Sequence, residues 1–145
     1  MAAPVDKKQM DGAKKSIQAE VKKLAQKTKK TTEEARKLID EKAKAAKDKK
    51  TDPKRLKAID LKLKGLHQLC QKEADKSARS IGLMLKTYVP ADKKAVPEWQ
   101  KGMDKWYVDI LKKEPGLAIG GGARVNGSMS VKDKKAMINF TWKLR

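Results

Sequence analysis

The chain has one cysteine and one histidine in 145 residues, and its only aromatic side chains besides that histidine are one Phe, two Tyr and three Trp. Each scarcity removes a class of protein. A lone Cys70 rules out an internal disulfide framework and fits a reducing compartment. His67 and Cys70 form an H-x-x-C pair with no second Cys or His to complete it, so a four-ligand zinc site would need carboxylates or another chain. No metal and no cofactor is expected. The basic segments carry no interleaved aromatics, which argues against stacking of bases upon them. No run approaches the roughly 18 apolar residues of a membrane helix. The N-terminal MAAPVDKKQMDGAKK lacks an apolar core of the secretory kind, which predicts a chain made in the cytoplasm without a Sec signal peptide. Packaging into a particle, or export by a dedicated machine, is compatible with that expectation.

Acids are scarce too. With 37 Lys and Arg against 18 Asp and Glu the formal charge is +19, far beyond what solubility requires. The excess is spread along the whole chain and so is not a basic tail. Such a field attracts nucleic acid, an acidic protein or an anionic lipid surface. Only Arg36, Arg55, Arg79, Arg124 and Arg145 are guanidinium groups and the other cations are lysines. Lysine is a hydrated point charge, whereas arginine reads base edges through two parallel bonds, so the composition favours a surface indifferent to sequence.

What is present is helical rhythm followed by alternation. Met10, Ala13, Ile17, Val21 and Leu24 recur at three- and four-residue intervals and predict a helix over about residues 6–29. On its far side lie four lysine pairs, Lys7 with Lys8, Lys14 with Lys15, Lys22 with Lys23 and Lys29 with Lys30. Their spacing stays close to the helical period, which makes a basic ridge about 30 Å long. Thr31 or Thr32 with Glu34 reads as a capping box opening a second helix, its stripe formed by Ala35, Leu38, Ile39, Lys42 and Ala46. Asp52 and Pro53 open a third, the strongest periodic signal, from Leu56 through Ile59, Leu63, Leu66, Cys70, Ala74, Ser77, Ile81 and Leu85 to Tyr88. It is expected to be the longest helix, near residues 53–88, with Gly65 and Gly82 marking a bend or a close crossing. Beyond Pro90 and Pro97 a shorter helix presents Trp99, Met103, Trp106 and Ile110 as a hub for the core.

Residues 117–145 alternate, and register arithmetic predicts a long hairpin there. A turn at Lys132 to Lys135 would pair Val131 with Ala136, Met129 with Ile138, Gly127 with Phe140, Val125 with Trp142 and Ala123 with Leu144. Val125, Met129, Ile138, Phe140 and Trp142 then share one apolar face. A tight turn at Asn126 and Gly127 would mix the faces and is rejected, despite being a strong hairpin dipeptide. The polar face would pair Ser130 with Met137, Ser128 with Asn139, Asn126 with Thr141 and Arg124 with Lys143, with Arg145 beyond. Opposed like charges at Arg124 and Lys143 would need an anion between them.

Candidate chemistry is thin. Cys70 sits on an apolar stripe, which predicts a buried and inert thiol. Glu73, Asp75, Glu98, Asp104 and Asp109 are scattered among lysines and converge on nothing, so no catalytic residues are assigned and no small-molecule substrate is expected. Gly120 to Gly122 could form a phosphate nest, but they run into a strand where a phosphate loop would enter a helix.

The expected fold is mainly α with a C-terminal antiparallel β-hairpin, an α+β arrangement of three or four helices. Residues 1–50 are read as a lysine-rich helical arm or helical hairpin and residues 51–145 as the main core. The leading functional expectation is a non-enzymatic basic protein that docks on nucleic acid or another polyanion, within an oligomer or particle. Its contacts would be Lys7, Lys8, Lys14, Lys15, Lys22, Lys23, Lys29 and Lys30, with Arg124, Lys143 and Arg145 on the hairpin. One alternative is an oligomeric pore-forming protein whose hairpins close a membrane barrel, each arm offering about ten alternating residues. Another is a basic nuclease toxin using Lys, Arg and a carboxylate.

Overall fold

The structure, a computed structural model, describes residues 7–114, 117 and 124–142. Three helices precede an antiparallel hairpin: α1 (Lys7–Lys47), α2 (Pro53–Tyr88), α3 (Val96–Lys113), β1 (Arg124–Ser130) and β2 (Lys135–Thr141). The α+β class expected from the sequence is the one observed.

The break expected at Thr31 and Thr32 is absent, and α1 runs unbroken for 41 residues, longer than the 36 of α2. Thr32, one of the two expected caps, bonds backward instead, as does Thr28 a turn before it. Thr28 Oγ1 donates to the Leu24 carbonyl at 2.9 Å and Thr32 Oγ1 to the Lys29 carbonyl at 3.0 Å, so both are buried within the helix. The apolar stripe passes straight through them, from Ala13, Ile17, Val21 and Leu24 to Ala35, Leu38 and Ala45. With no Pro or Gly between residues 13 and 52, nothing in the chain opposes continuation. Ala45 is buried where Ala46 was expected.

The start of α2 follows its sequence signals. Asp52 accepts from the Lys54 amide at 2.9 Å and Pro53 occupies the first turn, where its missing N–H costs nothing. Ile59, Leu63, Cys70, Ala74, Ser77, Ile81 and Leu85 are buried, as the periodicity indicates. They pack against α1, which runs antiparallel. Beyond the core the two helices continue as a pair, tied by Lys42 to Asp60 at 2.6 Å and by Arg55 to Glu41 at 3.2 Å. The second pair is exposed on both sides and adds little.

On α3 the buried face is Trp99, Met103, Tyr107 and Leu111, while Trp106 and Ile110 are half-buried. The face therefore continues at four-residue steps from Met103, one residue round from the expected line. Trp99 is nonetheless wholly buried in the common core, alongside Ile17, Leu63, Ile81 and Leu85. Each such side chain contributes about 1.5–3 kcal/mol of burial. Residues of α1, α2, α3 and the hairpin all belong to this one cluster.

The elements close a ring. α1 lies along α2 and touches α3, β2 lies on α2, and β1 lies on α3. At the junction of α1 and α3, Gly102 approaches Met10 so closely that a Cβ there would stand 2.9 Å from the Met10 sulfur.

The hairpin keeps the expected faces and slips the expected register. Observed pairs are Arg124 with Thr141, Val125 with Phe140, Asn126 with Asn139, Gly127 with Ile138, Ser128 with Met137, Met129 with Ala136 and Ser130 with Lys135. The turn is Val131 to Lys134, one residue earlier than expected, so every partner moves by two and no side chain changes face. Two local features set it. Ser130 Oγ accepts from the Asp133 amide at 3.3 Å, and Lys134 adopts φ 52°, closing the turn through its amide to the Val131 carbonyl at 3.2 Å. Val131, pulled into the turn, is wholly buried. Asn126 and Gly127 lie inside β1, as expected. The proposed pair Ala123 with Leu144 and the glycines Gly120 to Gly122 lie outside the described residues.

Candidate polyanion face and docked hairpin

Because α1 is continuous, its cations form longer rows than the sequence suggests. Lys8, Lys15, Lys22, Lys29 and Arg36 succeed one another at seven-residue intervals, and Lys23, Lys30, Lys37 and Lys44 make a second such row beside them. All nine are exposed. Seven residues are close to two helical turns, so each row slants slowly round the axis, and the two together extend about 54 Å. Arg36, Lys37 and Lys44 were hidden from sequence reading only by the supposed break at Thr31; the seven-residue recurrence itself was there to be found.

The charge is uneven along the helix. Residues 7–30 hold nine lysines against Asp11 and Glu20, whereas Glu33, Glu34, Asp40 and Glu41 crowd the following stretch. The N-terminal two thirds of the face is thus the more cationic. Lys22, Lys29 and Arg36 line a shallow groove of about 450 Å³ between α1 and Glu114, which with Glu33 partly neutralises it.

Of the cations assigned from sequence, Lys7, Lys8, Lys15, Lys22, Lys23, Lys29 and Lys30 are exposed on α1. Lys14 is half-buried, its ammonium 5.5 Å from the centre of the Trp106 ring, a cation–π contact between α1 and α3. Of the expected hairpin cluster only Arg124 lies within the described residues. It is exposed and pairs with Thr141, where Lys143 was expected, and Lys143 and Arg145 lie outside the described residues.

The apolar hairpin residues are all covered by the protein itself: Val125, Met129, Ile138, Phe140 and Trp142 are buried. Trp142 meets His67 edge-on at 5.2 Å and Phe140 at 6.4 Å. His67 Nε2 donates to the Phe140 carbonyl. Two glutamines fasten the strand edges. Gln71 of α2 donates to the Ile138 carbonyl at 2.9 Å and accepts from the Phe140 amide at 2.9 Å. Gln100 of α3 donates to the Met129 carbonyl at 2.8 Å and accepts from the Val131 amide at 2.7 Å. Each side-chain amide thus acts as one unit of a missing neighbouring strand, and a two-stranded sheet, unstable alone, becomes part of the fold. Sequence reading missed both residues, since an isolated Gln on a helix carries no signal of this use.

Gly127 has the clearest steric role. A Cβ there would stand 2.1 Å from Leu111 Cδ1, 2.9 Å from the Met137 carbonyl and 3.1 Å from Tyr107 Cε2. The strand backbone lies directly on α3, and Tyr107 reaches past it to donate to the Met137 carbonyl at 3.3 Å. Burial pushes the Tyr107 hydroxyl pKa above its ordinary value.

Cys70 is wholly buried and burial raises its thiol to about 11, which keeps it protonated and unreactive at neutral pH. Among the described residues no three of His, Cys, Asp and Glu gather as metal ligands, and no helix is long and apolar enough to cross a membrane. Comparison with protein-family models, curated proteins and solved structures finds no match. The functional reading therefore rests on the geometry of this chain alone.

Proposed function

We propose that the protein is a non-enzymatic, sequence-indifferent binder of nucleic-acid backbone, contacting it through the outward face of α1. The observation that carries this is the pair of exposed cation rows, nine residues at seven-residue intervals along one helix. A long straight array of point charges suits a polymer with regularly spaced phosphates. Binding would come from counterion release, with little dependence on the bases. The absence of aromatics from these rows favours a duplex, whose bases are already stacked, over a single strand. A lipid surface is the poorer fit. The exposed large apolar residues among those described are Leu61, Leu69, Leu83 and Met137, none of them on α1, so this face has nothing to insert between headgroups.

The test is fluorescence anisotropy with mixed-sequence DNA and RNA duplexes across a salt series. Affinity is expected to fall steeply between low and moderate salt and to differ little among sequences. In the triple variant Lys15→Glu, Lys22→Glu, Lys29→Glu it should be largely abolished, with the helical circular dichroism unchanged. Tight binding at high salt, or no binding at low salt, would sink the proposal. No observation favours the pore or nuclease readings: the hairpin face that a barrel would offer to lipid is occupied by α2 and α3.

A further inference from the structure

A second surface has a different character. A groove of about 660 Å³ lies between α2 and the outer edge of β2, within the size range of built ligand sites. Its lining runs along α2 from Asp75 through Gly82 to Lys86 and along the hairpin from Lys134 to Asn139. Gln71 holds Ile138 and Phe140 beside one end, and the Cβ position of Gly82 is 3.0 Å from the Lys134 carbonyl. Backbone groups of alternate strand residues point the same way, so Ala136, two residues before Ile138, presents its N–H and C=O to the groove, as Ile138 does its N–H. No described residue bonds to them. The walls combine charge of one sign with apolar surface. Arg79, Lys86, Lys134 and Lys135 face a single carboxylate, Asp75, which already accepts from Gln71 at 2.9 Å. Leu83 and Met137, two of the four exposed large apolar side chains among the described residues, are 61% and 55% exposed at its rim.

We propose that this groove binds an extended acidic peptide, which adds a third strand to the hairpin along β2. The open backbone groups of Ala136 and Ile138 would pair with the peptide main chain. Leu83 and Met137 would cover its alternate apolar side chains, and the four cations would meet its carboxylates. A second copy of this chain is the poorer occupant, because its β2 would carry Lys134 and Lys135 into a groove already lined by Arg79, Lys86, Lys134 and Lys135.

The probe is a fluorescein-labelled heptapeptide of alternating Glu and Val, titrated into the full chain at low salt. Its counterparts are the same peptide N-methylated at alternate amides, which keeps every charge but loses the donors, and a heptapeptide of Glu alone. Saturable binding is expected for the first. The methylated peptide, which cannot donate to the Ala136 carbonyl and whose methyl groups hold it off the strand edge, and the all-Glu peptide, which has no apolar side chains for Leu83 and Met137 to cover, should each bind about tenfold more weakly or worse. Ala136→Pro removes only an outward N–H and should abolish binding, as should Arg79→Glu with Lys86→Glu. Lys22→Glu with Lys29→Glu, on α1, should leave it unchanged. The proposal is overturned by equal binding of the methylated peptide, by equal loss in the α1 variant, or by no saturable binding. It also falls if sedimentation shows a dimer of the chain alone that Ala136→Pro dissolves. Should that variant fail to fold, the methylated peptide still decides the matter on the unaltered protein.

Discussion

Along the outward face of α1 the cations are interchangeable, whereas under the hairpin each contact is made by a residue with no substitute beside it. Lys22 is followed by Lys29 and flanked by Lys23, so the loss of one leaves the field nearly intact. Gly127, Gln71 and Gln100 each fill a position that one side chain fits. Function spread over repeated charges tolerates change at single sites, and structure held by single contacts does not. The two regions should respond to mutation in opposite ways: stability should shift at the hairpin with binding unaltered in the folded fraction, and binding should shift at α1 with stability unaltered.

The largest effect is expected at Gly127. Leu111 could swing aside for an added methyl, but the Met137 carbonyl belongs to the partner strand and Tyr107 is wholly buried, so neither yields easily. Gly127→Ala should cost about 1–3 kcal/mol or more. Gly65→Ala is its mirror: nothing lies within 4 Å of that position, which is exposed within α2, and replacing a helical glycine should gain up to about 1 kcal/mol. Urea unfolding monitored by circular dichroism would show the two midpoints moving apart. Equal midpoints would mean that the hairpin is not seated on α3 as described.

Next in size are the glutamine ties. Gln71→Ala and Gln100→Ala each strip two strand-edge groups of their partners, at about 1–3 kcal/mol each. The two residues share no contact, so their effects should add. Amide hydrogen exchange provides the sharper readout. Phe140 should lose protection in the first variant and Val131 in the second, and uniform loss across the hairpin in both would show that the ties act only through global stability.

These residues mark what the sequence could and could not reveal. The faces of the hairpin were legible because a slip of two residues preserves parity, so Val125, Met129, Ile138, Phe140 and Trp142 turn inward in either register. The register itself was not, because it is chosen within the turn, by the bond from the Asp133 amide to Ser130 Oγ and the left-handed backbone at Lys134, and the alternation of the strands is the same for this turn and for one a residue later. Asp52 and Pro53 announced α2 correctly, while Thr31 and Thr32 imitated a cap. Ser and Thr hydroxyls serve the interior of a helix as readily as its end, and the choice depends on whether the apolar stripe continues. The candidate binding face inherited that error: six of its nine cations were among the lysines named from sequence, and Arg36, Lys37 and Lys44 lay beyond the false break.

The smallest effect sharpens the comparison most. Lys29→Ala removes one of nine cations from the rows and touches nothing in the core, since Lys29 is exposed and alanine is at least as good a helix former. Its unfolding free energy should stay within about 0.5 kcal/mol of the unaltered protein. On the proposed mode of binding each lysine that neutralises a phosphate contributes about 0.9 to the slope of log affinity against log salt concentration, so the slope should become shallower by about that much. The same step should appear for Lys22→Ala and Lys30→Ala, and no step for Lys14→Ala, whose half-buried ammonium is held over the Trp106 ring. A full step at Lys14, or none at the other three, would move the contact surface off these rows even if binding to nucleic acid were established.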